Sequence, residues 1–298
     1  MKTNAKKILF IGCGAMGEAI LSSCLKNGLY SPEEVFVAES DSKKRSEISL
    51  SYGVQTMIPE EACRGENNIS AVIAAVKPQE AESIIPILKN TRFQMLITIM
   101  AGVSCSYLTD RVGEIPVLRV MPNMCVKVSK SVSALFANEN LLASPFKNEL
   151  MEEAEKIFSA LGAVIRVKTE DDIARATAIS GSGPAYAAYF IEALEEAAAA
   201  LGFSPDEAGF LSLKTFEGTL AYLNETGESA ASLRKKVTSP GGTTEAAIRI
   251  YEENKLKETV SAACRAAYER AVELGKKKKV SETRQTDYEP GRELGKKE

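Results

Sequence analysis

Histidine is absent from this chain of 298 residues. The commonest general acid/base and the commonest metal ligand are therefore missing. That excludes a Ser-His-Asp hydrolase and a His-ligated zinc enzyme. The six cysteines (13, 24, 63, 105, 125 and 264) form no CxxC pair and have no metal-ligand spacing, so no metal site is expected. No apolar run reaches the roughly 18 residues needed to span a bilayer. No hydrophobic segment precedes the first apolar run, so no secretory signal is expected, and the thiols read as reduced in a cytoplasm. An excess of basic charge is missing too: the formal net charge is −3, whereas nucleic-acid binding calls for a basic stripe. Any chemistry must come from a cofactor, or from Lys, Asp, Glu, Tyr, Ser, Thr or Cys.

What is present begins at Lys6, where KKILFIGCGAMG runs from a short apolar stretch into Gly12-x-Gly14-x-x-Gly17. A buried strand that stops at closely spaced glycines and turns into a helix builds a pyrophosphate site. Gly12 allows the tight turn, Gly14 lets the backbone approach the phosphates, and Gly17 lets helix and strand pack closely. The helix that follows, Glu18–Asn27 with Gly28 as its C-terminal cap, points free N–H groups and a positive dipole end at the anion.

The first half of the chain alternates apolar runs with helical stretches. Strands are expected at Ile8–Ile11, Val35–Ala38, Ala71–Val76, Leu96–Ile99, Val117–Met121, Ser133–Ala137 and Val164–Val167. Helices are expected at Ser42–Tyr52, Gln79–Asn90, Tyr107–Val112 and Pro145–Leu161. This order predicts an α/β fold: a Rossmann-type, doubly wound, mostly parallel sheet covered on both faces. After Lys168 no strand is expected. Helices follow at Asp171–Ile179, Ala185–Leu201 after a break at Pro184, a stretch from Ser204-Pro205 to Leu223, Thr244–Glu253, and Lys257–Leu274 stopped by Gly275. The reading gives a dinucleotide-binding domain over 1–168, an all-α domain over 169–275 and a disordered tail over 276–298. The apolar helices exceed what so small a domain needs for its own core, so a partner subunit is expected to cover one face.

Three further segments carry chemistry. Ala75-Val76-Lys77-Pro78 closes the strand after the helix of residues 42–52, and ligands bind outside such strand ends. Pro78 restricts Lys77 to extended geometry. Lys77 reads either as a cofactor or substrate contact or as a plain surface lysine. In ISGSGPAY, two glycines and a proline interrupt an apolar helix, so Thr177, Ser180 and Ser182 either face a nicotinamide or mark tight helix packing. Thr238–Thr244 (TSPGGTT) opens a helix with free N–H groups, two glycines and hydroxyls. This is a second anion site, suited to a substrate carboxylate.

Together the stretches IGCGAMGEAI, AVKPQ, RVMPN, ISGSGPAYAAYFIEAL and VTSPGGTTEAAI resemble the pyrroline-5-carboxylate reductase family from Lys6 to about Leu274. The resemblance implies hydride transfer from NADPH or NADH to the C=N carbon of a cyclic imine. It also implies a small-molecule substrate held between the N-terminal domain and helices of a C-terminal dimerisation domain, in a domain-swapped dimer or higher homo-oligomer without nucleic acid or membrane. By the same resemblance, the cofactor is held by Gly12, Cys13, Gly14, Ala15, Met16, Gly17, Ala75, Val76, Lys77, Pro78, Ile99, Met100 and Ala101. The substrate falls to Gly241, Gly242, Thr243 and Thr244; the catalytic residues are Thr244, its hydroxyl near the ring nitrogen, and Glu170, an acidic residue associated with substrate. Met124 and Cys125 replace the family's usual Thr-Pro after RVMPN, which keeps a related reductase of a six-membered imine (a piperideine carboxylate type) in view. A non-catalytic dimer that senses nicotinamide nucleotides is a third reading. Glu60 replaces an asparagine that contacts cofactor. Glu39, 22 residues beyond Gly17, is a cofactor-binding acid that accepts from a ribose 2′-OH and repels a 2′-phosphate. Ser40, Lys43 and Lys44 are suited to holding that phosphate, so the choice between NADH and NADPH stays open.

Overall fold

The computed structural model describes residues 6–62 and 69–283. Two compact units make up the chain, one of residues up to Gly181 together with those from Ala267 onward, the other Ser182–Ala266. The first holds strands β1 (Lys7–Ile11), β2 (Val35–Ala38), β3 (Gln55–Met57), β4 (Ile69–Ala74), β5 (Phe93–Thr98), β6 (Val117–Met121), β7 (Ser131–Ala137) and β8 (Gly162–Arg166). Among them run helices α1 (Ala15–Lys26), α2 (Ser42–Tyr52), α3 (Pro59–Ala62), α4 (Ile85–Asn90), α5 (Cys105–Val112), α6 (Glu139–Ala143), α7 (Lys147–Ser159) and α8 (Asp171–Ala176). The second holds α9 (Gly183–Ala200), α10 (Pro205–Thr226), α11 (Ala230–Lys236) and α12 (Thr243–Glu253), and α13 (Leu256–Thr283) starts there and ends in the first.

The sheet order is β3-β2-β1-β4-β5-β6-β7-β8. Neighbours are parallel except β6 and β7, which pair antiparallel. Successive side chains of a strand point to opposite faces, and both faces here are buried. Ile8 and Phe10 join α1, α2 and α7 in one apolar cluster, while Leu9 and Ile11 join α4 and α5 in the other. This is why the strands are continuously apolar rather than alternating. The chain builds outward from β1 to β3, then crosses back to β4 on the other side. The sheet therefore has its switch point between β1 and β4, where a crevice opens beyond the strand ends.

Three expectations need correction. Strand β3 was not foreseen, because its three residues are short and only partly buried at the sheet edge. The helix expected over 79–90 is a 3-10 turn at Pro78–Glu80 followed by α4, which carries Pro86 in its first turn, where a missing N–H costs no hydrogen bond. The first compact unit runs on past the expected domain limit at 168/169 to Gly181, since α8 lies against β6 and β7. The last helix does not stop at Gly275 but continues to Thr283, into the tail expected to be disordered. A Cβ placed on Gly275 would lie 3.7 Å from the Gly102 carbonyl oxygen, an ordinary contact, and the helix passes this glycine without ending. Residues 284–298 of that tail, like Cys63, lie outside the described residues.

In the second unit, Ser204 caps α10 by accepting from the Glu207 N–H while the Glu207 carboxylate returns to the Ser204 N–H, and Gly227 ends the helix in left-handed geometry. The unforeseen α11 is short and its N-terminus is closed by Ser229. Burial is nearly absent: of residues 182–266, only Ala208 and Ser212 are buried, both on α10 where it meets α9. Tyr189, Phe210, Leu213 and Leu220 are more than half exposed.

Candidate active site

The glycine turn expected to take the nucleotide lies between β1 and α1. Gly12 has φ +77°, a left-handed value, and a Cβ there would sit 2.5 Å from Val76 Cγ1. A Cβ on Gly17 would come within 3.0 Å of the Ala75 Cβ, so this glycine brings α1 down onto the end of β4. Gly14 differs. Nothing lies within 4 Å of its Cβ position, so the protein itself does not require glycine there. Open space before a helix N-terminus fits a group that approaches the backbone from outside, as a pyrophosphate does.

The helix ends sharpen this. Asp41 closes α2, Ser104 closes α5, Ser204 closes α10 and Ser229 closes α11, each by a side chain accepting a backbone N–H. Gly14 before α1 and Gly242 before α12 supply no such cap. The first-turn N–H groups of these two helices therefore lack an intrahelical partner and point outward.

Around the first of these ends the expected cofactor stretches converge. Val76 and Lys77 follow β4, with Lys77 exposed and extended (φ −62°, ψ 146°), as Pro78 demands. Ile99, Met100 and Ala101 follow β5, with Ile99 N–H donating to the Ala74 carbonyl at 3.2 Å, so the two loops run side by side. Glu39 follows β2. Its Oε2 accepts from Cys13 N–H at 2.9 Å and its Oε1 from Asp41 N–H at 3.2 Å, which fixes the carboxylate against the glycine turn. Arg45 donates to the Glu39 and Ser40 carbonyls, both at 2.8 Å. Burial pushes the Cys13 thiol up to about 12, so it packs as a neutral side chain rather than reacting. Glu60 lies exposed in α3.

Glu170 is held elsewhere in the first unit. Its Oε1 accepts from Cys105 N–H at 2.7 Å and from Arg119 Nη1 at 2.8 Å. The carboxylate thus fastens the start of α8 to the N-terminus of α5 and to β6. Sequence reasoning missed Arg119, whose signal is a lone charge within the otherwise apolar β6. Thr177–Gly181 forms a π-helical turn rather than the simple kink expected at Pro184. Thr177 Oγ1 donates back to the Ile173 carbonyl at 2.7 Å and Ser180 Oγ to the Ala176 carbonyl at 3.0 Å, so both hydroxyl protons are engaged within the helix.

In the second unit the turn before α12 borders a cavity of about 790 Å³, lined by Arg234, Thr238, Gly241, Gly242 and Arg249 among others. Gly241 has φ +71°, and a Cβ on Gly242 would meet Ser239 Oγ at 2.7 Å. Their N–H groups are used inside the turn, Gly241 to Glu245 Oε2 at 2.8 Å and Gly242 to the Ser239 carbonyl at 3.0 Å. The glycines therefore shape the turn; Thr243 and Thr244 follow as the first residues of α12, and Thr244 lines a neighbouring hollow with Tyr222, Leu223 and Val237. Among the described residues no His/Cys/Asp/Glu group is arranged to hold a metal, and no helix is long and apolar enough to cross a membrane.

Residues 170–274 match the pyrroline-5-carboxylate reductase dimerisation family, and residues 7–102 match the family of coenzyme F420-dependent NADP oxidoreductases. A pyrroline-5-carboxylate reductase of Synechocystis is 35% identical over 90% of this chain and 97% of its own length. The structure of a pyrroline-5-carboxylate reductase from Coxiella burnetii is 36% identical, with a TM-score of 0.80 over 91% of this chain and 99% of that one. The Plasmodium falciparum pyrroline carboxylate reductase, solved with NADP bound, is 29% identical with a TM-score of 0.75, covering 91% of this chain and 98% of that one. With the dimerisation domain present and a second unit that buries almost nothing alone, the chain assembles as a homo-oligomer. The chain belongs to the pyrroline-5-carboxylate reductase family.

Proposed function

We propose that this chain reduces 1-pyrroline-5-carboxylate to L-proline, a hydride from NADPH or NADH going to the C=N carbon as the ring nitrogen is protonated. The observation that carries the reading is the pair of glycine-led, uncapped helix N-termini, Gly14 before α1 and Gly242 before α12. One suits a dinucleotide phosphate, the other a small carboxylate. The bound nicotinamide supplies the hydride. The chain's own residues bind and orient: the first turn of α1 holds the pyrophosphate, Glu39 accepts from ribose hydroxyls, and the Ala75–Pro78 and Ile99–Ala101 loops line the crevice. Thr243 and Thr244 take the substrate carboxylate, with the Thr244 hydroxyl toward the ring nitrogen. Glu170, engaged with Arg119 and the α5 N-terminus, orients structure around the site rather than delivering a proton.

A protonated imine is already an electrophile, so positioning and a matched field suffice and a histidine-free chain loses nothing. In this reading the oligomer is domain-swapped, with the 240–244 turn of one copy facing the crevice of another. The location is cytoplasmic, in keeping with Cys13, Cys24, Cys105, Cys125 and Cys264 being free thiols.

The test is oxidation of NADH and of NADPH by the purified full chain, with and without pyrroline-5-carboxylate. Substrate-dependent turnover with at least one cofactor is expected, and none with either overturns the reading. Met124 is more than half exposed in the 3-10 turn that also carries Cys125. The six-membered analogue therefore belongs in the same assay, and faster turnover of it would move the assignment to the related imine reductase.

A further inference from the structure

We infer that Asn123 is a positioning residue for hydride transfer, pinning the π-helical turn Thr177–Gly181 to the sheet edge where the cofactor lies. This rests on the reductase reading above.

Asn123 follows β6 through Pro122 and is buried. Strands β1, β2, β4, β5 and β6 are parallel, so their C-terminal ends share one edge. Along that edge the chain sets out Glu39 after β2, the glycine turn after β1, the Ala75–Pro78 and Ile99–Ala101 loops after β4 and β5, and Asn123 after β6. A dinucleotide laid from the ribose acid across the phosphate turn brings its far end toward β5 and β6.

Three polar groups of Asn123 are engaged there. Its backbone N–H donates to Ser131 Oγ at 3.3 Å, its Oδ1 accepts from Cys125 N–H at 3.1 Å, and its Nδ2 donates to the Ser180 carbonyl at 2.9 Å. The orientation of the amide is fixed by this network, since turning it over would set donor against donor and oxygen against oxygen. Ser180 lies in the π-helical turn, where the regular i→i−4 ladder is interrupted. Such turns occur often at functional sites. The Nδ2 bond fastens this turn from outside its own helix.

The other side of Asn123 leads to α1. The 3-10 turn Met124–Val128, which Asn123 caps, packs on α1, and Val126 is buried in the same cluster as Ile20, Leu21 and Cys24 of that helix. One side chain thus links the helix that opens at the phosphate turn to the interrupted helix. Displacing the π-helical turn would shift groups at the reacting end while leaving the phosphate turn intact.

Asn123→Asp is nearly isosteric. It keeps the acceptor for Cys125 N–H and sets an oxygen against the Ser180 carbonyl. The assay is run on the full oligomeric chain with pyrroline-5-carboxylate and with NADH carrying deuterium at the transferred position. The variant is expected to lower kcat by about 10- to 100-fold, the scale of a small misplacement. It is expected to raise the deuterium isotope effect as hydride transfer becomes rate-limiting, and to leave the nucleotide Kd from fluorescence titration within about twofold. An unchanged kcat and isotope effect overturns the inference, and so does a loss of nucleotide affinity as large as the loss of kcat. Should the variant fail to fold, Asn123→Ala removes the donor without adding charge and is read by the same criteria. Wild-type protein without substrate-dependent turnover would instead overturn the reductase reading, so the two failures are distinct.

Discussion

The two compact units solve the problem of burial differently. The sheet unit closes two apolar clusters, one on each face, from residues of its own, with Phe10, Ile8, Leu9 and Ile11 fully or almost fully buried. The helical unit buries only Ala208 and Ser212 while leaving Tyr189, Phe210, Leu213 and Leu220 more than half exposed. Apolar burial is the main favourable term in folding, so the first unit is a domain in its own right. The second reaches a comparable degree of burial only against another copy. Good local signals, such as the Ser204 capping box and the Gly227 stop, make its helices form. Assembly then makes them stable.

Breaking the second unit should therefore have the largest effect. Leu213 and Leu220 lie seven residues apart on one stripe of α10. Leu213→Glu combined with Leu220→Glu is expected to dissociate the oligomer and abolish turnover, read by sedimentation velocity, while nucleotide still binds the sheet unit. An intact oligomer would show that this stripe is not covered.

Next in size is a contrast between two glycines of the same turn. Gly12→Ala forces a side chain onto a left-handed residue and into Val76, and should destabilise the chain by about 2–4 kcal/mol in denaturant titration. Gly14→Asp meets open space and supplies a favourable N-cap, so stability should hold within about 0.5 kcal/mol. Its carboxylate would nonetheless stand where the pyrophosphate binds, and nucleotide affinity should fall by about 100-fold or more. Equal destabilisation by both changes would remove the distinction between a steric and a ligand-driven glycine.

Smallest is the effect on cofactor choice. Glu39 is held by the Cys13 and Asp41 N–H groups, and in the proposed reading its carboxylate disfavours a 2′-phosphate. Glu39→Ser should raise the ratio of kcat/KM for NADPH over NADH by about tenfold, roughly 1.4 kcal/mol of differential binding. An unchanged ratio would remove Glu39 from cofactor selection.

Much of the sheet unit was legible because its signals are local and repeated. Short apolar runs marked seven of the strands, and the helix expected at Ser42–Tyr52 has those bounds, with Asp41 and Gly53 closing its ends. β3 escaped because an exposed edge strand needs little hydrophobicity, and α11 because a short helix leaves little periodic pattern. Around the candidate site the sequence offered glycines and hydroxyls, but not the partners each of them meets. That Glu170 pairs with Arg119, that Gly241 and Gly242 use their own N–H groups, and that Asn123 holds the π-helical turn all depend on contacts between residues distant in sequence.

If, as proposed, the sheet unit of one copy and the 240–244 turn of another make one site, activity should return when two differently damaged subunits are mixed. Gly14→Asp disables the nucleotide half, Thr244→Ala the carboxylate half, and each variant alone should be nearly inactive. Co-assembled from denatured or co-expressed chains, they should regain a substantial fraction of wild-type turnover, because hybrid assemblies contain sites built from two intact halves. Mixed assemblies no more active than their parents would contradict the account.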